Sequence, residues 1–143
     1  MSRMHSWIIF AVLSAVFAAL VAVFGKIGIQ NVDSTLATSV RALVMAAFLV
    51  AVSLALGKGE LLSTIQGKPL LFIVFSGIAG ALSWLFYFFA LKSGPASGVA
   101  ALDRLSVVFV LVFAILFLGE HLSWKSGIGA AFITAGAILM TIK

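Results

Sequence analysis

The sequence predicts an all-α integral membrane protein with five transmembrane helices. Hydrophobic residues make up 64% of its 143 residues and charged residues 9%, against about 45–50% and about 25% in a soluble domain. The mean hydropathy is +1.30. Five apolar stretches reach the roughly 20 residues that a spanning helix needs, and turn-forming residues separate them.

The first helix is expected over residues 7–25. Its apolar run exceeds the about 7–15 residues of a secretory signal core and ends in Gly25-Lys26 rather than a small-x-small cleavage site, so it is expected to be retained. The second, 34–56, has Asp33 or Ser34 as its N-cap. The third, 69–91, opens on Pro69, which suits a first turn where no intrahelical N–H is needed. The fourth and fifth are expected over 96–118 and 124–142. Gly57-Lys58-Gly59, Gly67-Lys68-Pro69, Ser93-Gly94-Pro95 and Gly119-Glu120 supply the joints, with no linker, so residues 1–143 read as a single domain.

Small residues let helix backbones approach in lipid. Ala11, Ala15, Ala18 and Ala22 share one face of the first helix, and Gly127, Ala131 and Ala135 form a ridge on the fifth. On the third, Ser76, Gly80, Ser83 and Tyr87 recur at helical spacing with Trp84 and Phe88 beside them. Ordinary helix packing accounts for every such stripe. Only the third also carries the hydroxyls and aromatics of a cavity lining, which makes Ser83, Trp84, Tyr87 and Phe88 candidates for one. Residues 107–118 are bulky nearly all round, which suits lipid or another subunit.

Asp103 and Arg104 lie about one turn into the fourth helix. Ionisable groups there cost several kcal/mol unless they face a protein interior or a watery path. Arg41 lies seven residues after Ser34 and Asp103 seven after Ala96. With five crossings both helices enter from the same face, so both residues sit about 10 Å inside. Three readings follow. Arg41 and Arg104 snorkel to the interface on long stems; Arg41 and Asp103 pair and fix the packing; or Arg41, Asp103 and Arg104 bind a solute or a coupling ion. Asp103 is the strongest single candidate, being too short to snorkel far. Glu120 sits at a helix end, where a loop role is expected.

No cysteine is present, which excludes a disulfide or a thiolate metal site. Two histidines, His5 and His121, are far apart in sequence, so no metal site and no cofactor are expected. The net charge of +5 fits topology signals and lipid headgroups, and nothing supports nucleic-acid binding. One face would carry Arg3, Lys58, Lys68 and Lys125, and the other Lys26, Arg41, Lys92, Arg104 and Lys143. That near balance gives little orientation bias. A chain inserted both ways would form an inverted pair with a site near the midplane.

Four blocks carry a family resemblance: FGKIGIQNVDSTLATSVRALV (24–44), ALSWLFYFFALKSGPAS (81–97), VAALDRLSVVFV (99–110) and FLGEHLSWKSGIGAAFITAGAIL (117–139). In order and spacing the chain resembles the small five-helix members of the EamA-like branch of the drug/metabolite transporter superfamily, over essentially its whole length. The most specific pieces are ATSVR (37–41), LDRLS (102–106) and LGE-x-LS (118–123). The resemblance implies a bacterial or archaeal inner-membrane protein that is half of a ten-helix inverted-repeat transporter architecture. Such a half needs a second copy or a partner. It further implies secondary export of amino acids, metabolites or drugs. The turn Phe117-Leu118-Gly119-Glu120 is then a structural signature. The first helix carries no acid, unlike the small multidrug-resistance branch.

Two functions follow as expectations. The first is a homodimeric secondary transporter of small metabolites, its charge layer at Arg41, Asp103 and Arg104 and its cavity shaped by Trp84, Tyr87 and Phe88. The alternative is a non-transporting accessory subunit that docks through the bulky 107–118 face on another membrane protein or a lipid-handling complex. No nucleophile–base set or paired carboxylates suggest an enzyme.

Overall fold

The computed structural model describes residues 3–142, with side chains from Ser6 onward. Arg3, His5 and Lys143, which entered the charge count and the metal argument, therefore have side chains outside the described residues. The chain is helical throughout: α1 Arg3–Gly28, α2 Ser34–Ala55, α3 Lys68–Ser93, α4 Ala96–Asp103, α5 Ser106–Leu118 and α6 Trp124–Leu139, with a 3₁₀ turn at Gly59–Thr64. Among the described residues four stretches are long and apolar enough to cross a membrane: Ser6–Gly28, Ser34–Ala55, Lys68–Ser93 and Ala96–Leu118. The protein is a multi-pass membrane protein.

The last helix is shorter than expected. It stops at Leu139, and 16 residues span about 24 Å against an apolar core of about 30 Å. Beyond it, Thr141 Oγ1 donates to the Ile138 carbonyl at 2.7 Å, and the Thr141 and Ile142 amides turn back to the same oxygen. A hydroxyl that competes for a helix carbonyl favours a turn over another helical residue. The fourth span also departs from a single α-helix. Between α4 and α5 the Arg104, Leu105, Val107 and Val108 amides bond three residues back, to Ala101, Leu102, Arg104 and Leu105. This is 3₁₀ winding, and it falls on the Asp103-Arg104 pair. The 3₁₀ turn after α2 was expected as loop. Ser63 and Thr64 hydroxyls hold it by donating to the Glu60 and Leu61 carbonyls.

The chain forms two compact units, Gly28–Lys92 and Met1–Ile27 with Ser93–Lys143. In the first, Asp33 is the N-cap of α2. Its Oδ1 accepts from the Thr35 and Leu36 amides at 2.9 and 3.0 Å. At the same end of this unit Lys92 Nζ donates to the Val32 carbonyl at 3.2 Å. In the second unit Lys26 Nζ donates to the Gly94 carbonyl at 2.9 Å. There α4 packs against the end of α6 at Gly98, where a Cβ would come 3.3 Å from Pro95 Cγ and 3.7 Å from Thr141 Cγ2. The α5 helix closes on Gly119 at φ +66°, with the Gly119 and Glu120 amides both returning to the Ala114 carbonyl. Glycine takes this left-handed conformation without a Cβ penalty. The family turn is thus a helix stop.

Large apolar side chains face outward on every helix, among them Leu43, Phe48, Phe72, Phe117 and Trp124. Apolar exposure on this scale is untenable in water and matches lipid as solvent. Few side chains are buried; in the first unit they include Ile29, Ser34, Phe88 and Leu91, near the helix ends that Lys92 ties.

Two predictions follow from these helix ends. Gly119→Ala has open space for its Cβ, so its cost is conformational alone, about 1–2 kcal/mol. Gly129→Ala, mid-helix and equally open, should be neutral or stabilise by up to about 1 kcal/mol. Unfolding of both variants in detergent micelles checks the pair. The second concerns Asp33, whose carboxyl is held below its ordinary value by the Leu36 amide first, with the Thr35 amide and the Lys92 charge adding to it. A depressed folded value means that the cap's contribution is complete above the unfolded pKa, about 3.9, and is lost as pH falls through the folded value. Amide exchange at Thr35 and Leu36 should accelerate there beyond the intrinsic rate, and Asp33→Asn, which keeps an acceptor, should remove the pH dependence.

Candidate functional site

The α2 and α3 helices border an open groove of about 760 Å³ within the Gly28–Lys92 unit. From α2 it is lined by Thr35, Thr38, Ser39, Arg41 and Ala42, continuing to Met45, Ala46 and Leu49; from α3 by Gly77, Ile78, Gly80, Ala81 and Leu82, with Trp84 and Leu85 closing the row. The wall is mostly apolar, with three hydroxyls and one charge. Cβ atoms added at Gly77 or Gly80 would meet nothing within 4 Å. The groove has its width partly because these side chains are missing.

Arg41 dominates the site. Its guanidinium carbon lies 3.6 Å from the centroid of the Trp84 ring and 5.7 Å from that of Phe88. Trp84 meets Tyr87 edge-on at 5.3 Å and Phe88 edge-on at 6.3 Å, and Tyr87 lies tilted against Phe88 at 6.5 Å. Phe88 is buried, while Arg41, Trp84 and Tyr87 are half-buried. The aromatic cluster orients Trp84, and Trp84 orients Arg41. Arginine near a bilayer centre costs about 2.5–3.5 kcal/mol. A cation–π stack returns about 0.5–1 kcal/mol when exposed and about 2 when desolvated. The stack therefore offsets part of the cost.

Of the seven expected site residues, Arg41 and Trp84 lie on the groove wall, and Tyr87 and Phe88, off the wall, touch them through the aromatic cluster. Ser83 does not: it is exposed and absent from the groove wall, which uses Gly77, Ala81 and Trp84 instead. Asp103 and Arg104 belong to the other unit, where both are exposed at the 3₁₀ winding between α4 and α5. The expected Arg41–Asp103 pair would thus join the two units. The hydroxyls of α2 were missed, although Thr35, Thr38, Ala42, Met45 and Leu49 repeat at helical spacing. Thr38 Oγ1 donates to the Ser34 carbonyl at 2.8 Å and Ser39 Oγ to the Thr35 carbonyl at 2.9 Å. Among the described residues no cluster of three or more histidine, cysteine, aspartate or glutamate side chains could hold a metal.

Known proteins bear on this site through their sequences. The EamA-like transporter family matches residues 5–142. A Sinorhizobium protein described as an uncharacterized transporter in the cobO 3′ region is 47% identical over 138 residues, 96% of this chain and 98% of that protein. The pseudopaline exporter CntI of Pseudomonas aeruginosa is 39% identical over 57 residues, 40% of this chain but 19% of the exporter. No solved structure matches the chain significantly. The family match takes in both units and the whole groove, and the chain belongs to the EamA-like transporter family.

Proposed function

We propose that this membrane transporter is a secondary carrier that exports small metabolites, with the α2–α3 groove as part of its solute site. The observation that carries the proposal is the groove itself. Its volume of about 760 Å³ falls within the about 300–1,000 Å³ of small-molecule sites, and its apolar wall carries one oriented charge, at about 10 Å depth along α2. Asp103 is the coupling residue in this proposal and Arg104 a second cation beside it. Both stand where the helix tightens to 3₁₀ form, a common place for a hinge.

One chain is half of a working carrier, and two copies make the whole. In this proposal α6 crosses as a fifth span, which places the termini on opposite faces of a bacterial inner membrane. Near-equal numbers of lysines and arginines on the two faces leave orientation weakly set. Two oppositely inserted copies then build a homodimer with the site near its midplane. The exposed apolar faces of α5, including the Phe113–Phe117 pair at 5.9 Å, supply surface for lipid or the second copy.

Two experiments test this. Reporters active only in the cytoplasm and only in the periplasm, fused separately after residue 143, should both give signal; signal from one alone would rule out the antiparallel homodimer. In an exporter-depleted bacterial host, wild-type chain should release at least one metabolite into the medium that Asp103→Asn fails to release at equal membrane abundance. Unchanged release by Asp103→Asn would remove Asp103 from coupling. Fixed-ratio copurification of an unrelated membrane protein, with no solute released, would favour an accessory subunit instead.

A further inference from the structure

We propose that the end of α2 and the 3₁₀ turn after it form a site for one anionic phospholipid, with its phosphate on Lys58 and one acyl chain along the groove beneath. The site lies within the Gly28–Lys92 unit and does not depend on transport. The groove holds about 550 Å³ and is mostly apolar. Leu49, Val50 and Leu54 of α2 line it together with Lys58, Leu61 and Leu62. Glu60, the acid of this turn, is outside that lining.

Backbone geometry places the lysine. Gly57 takes φ +66°, and the chain turns back over the helix it has just left. The Gly57 amide donates to the Leu54 carbonyl and the Lys58 amide to the Ser53 carbonyl, both at 2.9 Å. These two bonds are the Schellman pattern of a helix stop. A Cβ at Gly59 would come 3.6 Å from Leu54 Cδ2, so the returning chain lies against that leucine. Lys58 is thereby anchored just past the spanning stretch Ser34–Ala55, where hydrocarbon gives way to headgroups. Leu49 stands six residues before Ala55, about 9 Å deeper at 1.5 Å per residue. A cation at the surface with an apolar channel below it is the complement of an acidic phospholipid.

The turn itself suits that depth. Leu61 and Leu62 are 51% and 73% exposed within a stretch of six residues, an arrangement that favours an interface over water. Unpaired backbone carbonyls are costly there, and the Ser63 and Thr64 hydroxyls donate to the Glu60 and Leu61 carbonyls. Ser53, also on the groove lining, donates its hydroxyl proton to the Leu49 carbonyl at 2.8 Å. Charge selects the occupant. A zwitterionic lipid brings its own cation to the lysine, whereas an acidic one brings net negative charge; one lysine at a membrane surface favours the acidic lipid about fivefold. An apolar helix of a second copy would cover the leucines but supply no anion to Lys58.

The test uses the full chain in a non-ionic detergent, incubated with equimolar phosphatidylglycerol and phosphatidylcholine of identical acyl chains. Native mass spectrometry counts the adducts. The first bound phosphatidylglycerol should exceed the first phosphatidylcholine by about fivefold. Lys58→Gln should bring that ratio close to one, and Lys58→Arg should keep it. Lys68→Gln, which removes the same charge at the start of α3 on the same membrane face, should leave most of the preference. Val50→Trp, which fills the groove and alters no charge, should lose the preferred adduct. Each variant is compared at matching helix content and elution. Equal adducts of the two lipids on the parent chain, a preference untouched by Lys58→Gln, or an unchanged adduct on Val50→Trp would each overturn the inference. Equal losses from Lys58→Gln and Lys68→Gln would do so too, replacing the site with diffuse surface attraction. A Val50→Trp variant that turns dimer into monomer with its lipid adducts unchanged would give the groove to a second copy.

Discussion

A guanidinium held inside an apolar helix pair is the constraint around which one half of this molecule is arranged. Arg41 cannot rest against hydrocarbon alone, and its neighbours reflect that. Trp84 covers one face, Tyr87 and Phe88 brace Trp84, and small residues on α2 and α3 leave space in front of the charge. Each feature makes sense given the next. Without the aromatic brace the indole would be free to turn, and without the small residues the charge would be walled in. Removing the charge would leave a mostly apolar groove with three hydroxyls.

The other unit is organised by backbone geometry more than by side-chain chemistry. The Asp103-Arg104 pair sits at 3₁₀ winding, α4 meets α6 at a glycine, and α5 ends on a left-handed glycine. Two lysines that a topology count would treat as free charges are instead structural donors. Lys26 reaches the Gly94 carbonyl in this unit and Lys92 the Val32 carbonyl in the other. Each satisfies a loop carbonyl that would otherwise need water at a helix end. Each lysine keeps its charge in doing so, and it serves a helix end and the topology balance together.

Much of the architecture was legible in the sequence because lipid imposes a simple rule on composition. Apolar runs of spanning length, broken at Gly57, Gly67 and Gly119, located the helices, and those same glycines have φ of +66°. Asp33 was legible as a cap because a carboxylate before a helical run has a defined partner set. The early end of α6 was not, since Thr141 looks like any tolerated residue until its hydroxyl takes the Ile138 carbonyl. The groove was half legible. Ionisable and aromatic residues stand out in a greasy chain, and two that do, Arg41 and Trp84, line the groove. Ser83, singled out for its hydroxyl, lies off the groove wall while Thr38 and Ser39 lie on it, because a stripe of small residues looks the same whether it faces a neighbour or a cavity.

The short 3₁₀ passage at Arg104 and Leu105 also bears on how this segment aligns with others. A 3₁₀ residue turns about 120° and rises about 2.0 Å, against about 100° and about 1.5 Å in an α-helix. Two such residues advance the helix by about 40° and lengthen it by about 1 Å. Residues 96–103 and 106–118 therefore lie on two angular phases. A single helical wheel drawn through the whole segment would rotate the second set of side chains away from the directions they take. The face that α5 presents is therefore counted from Ser106 and not from Ala96.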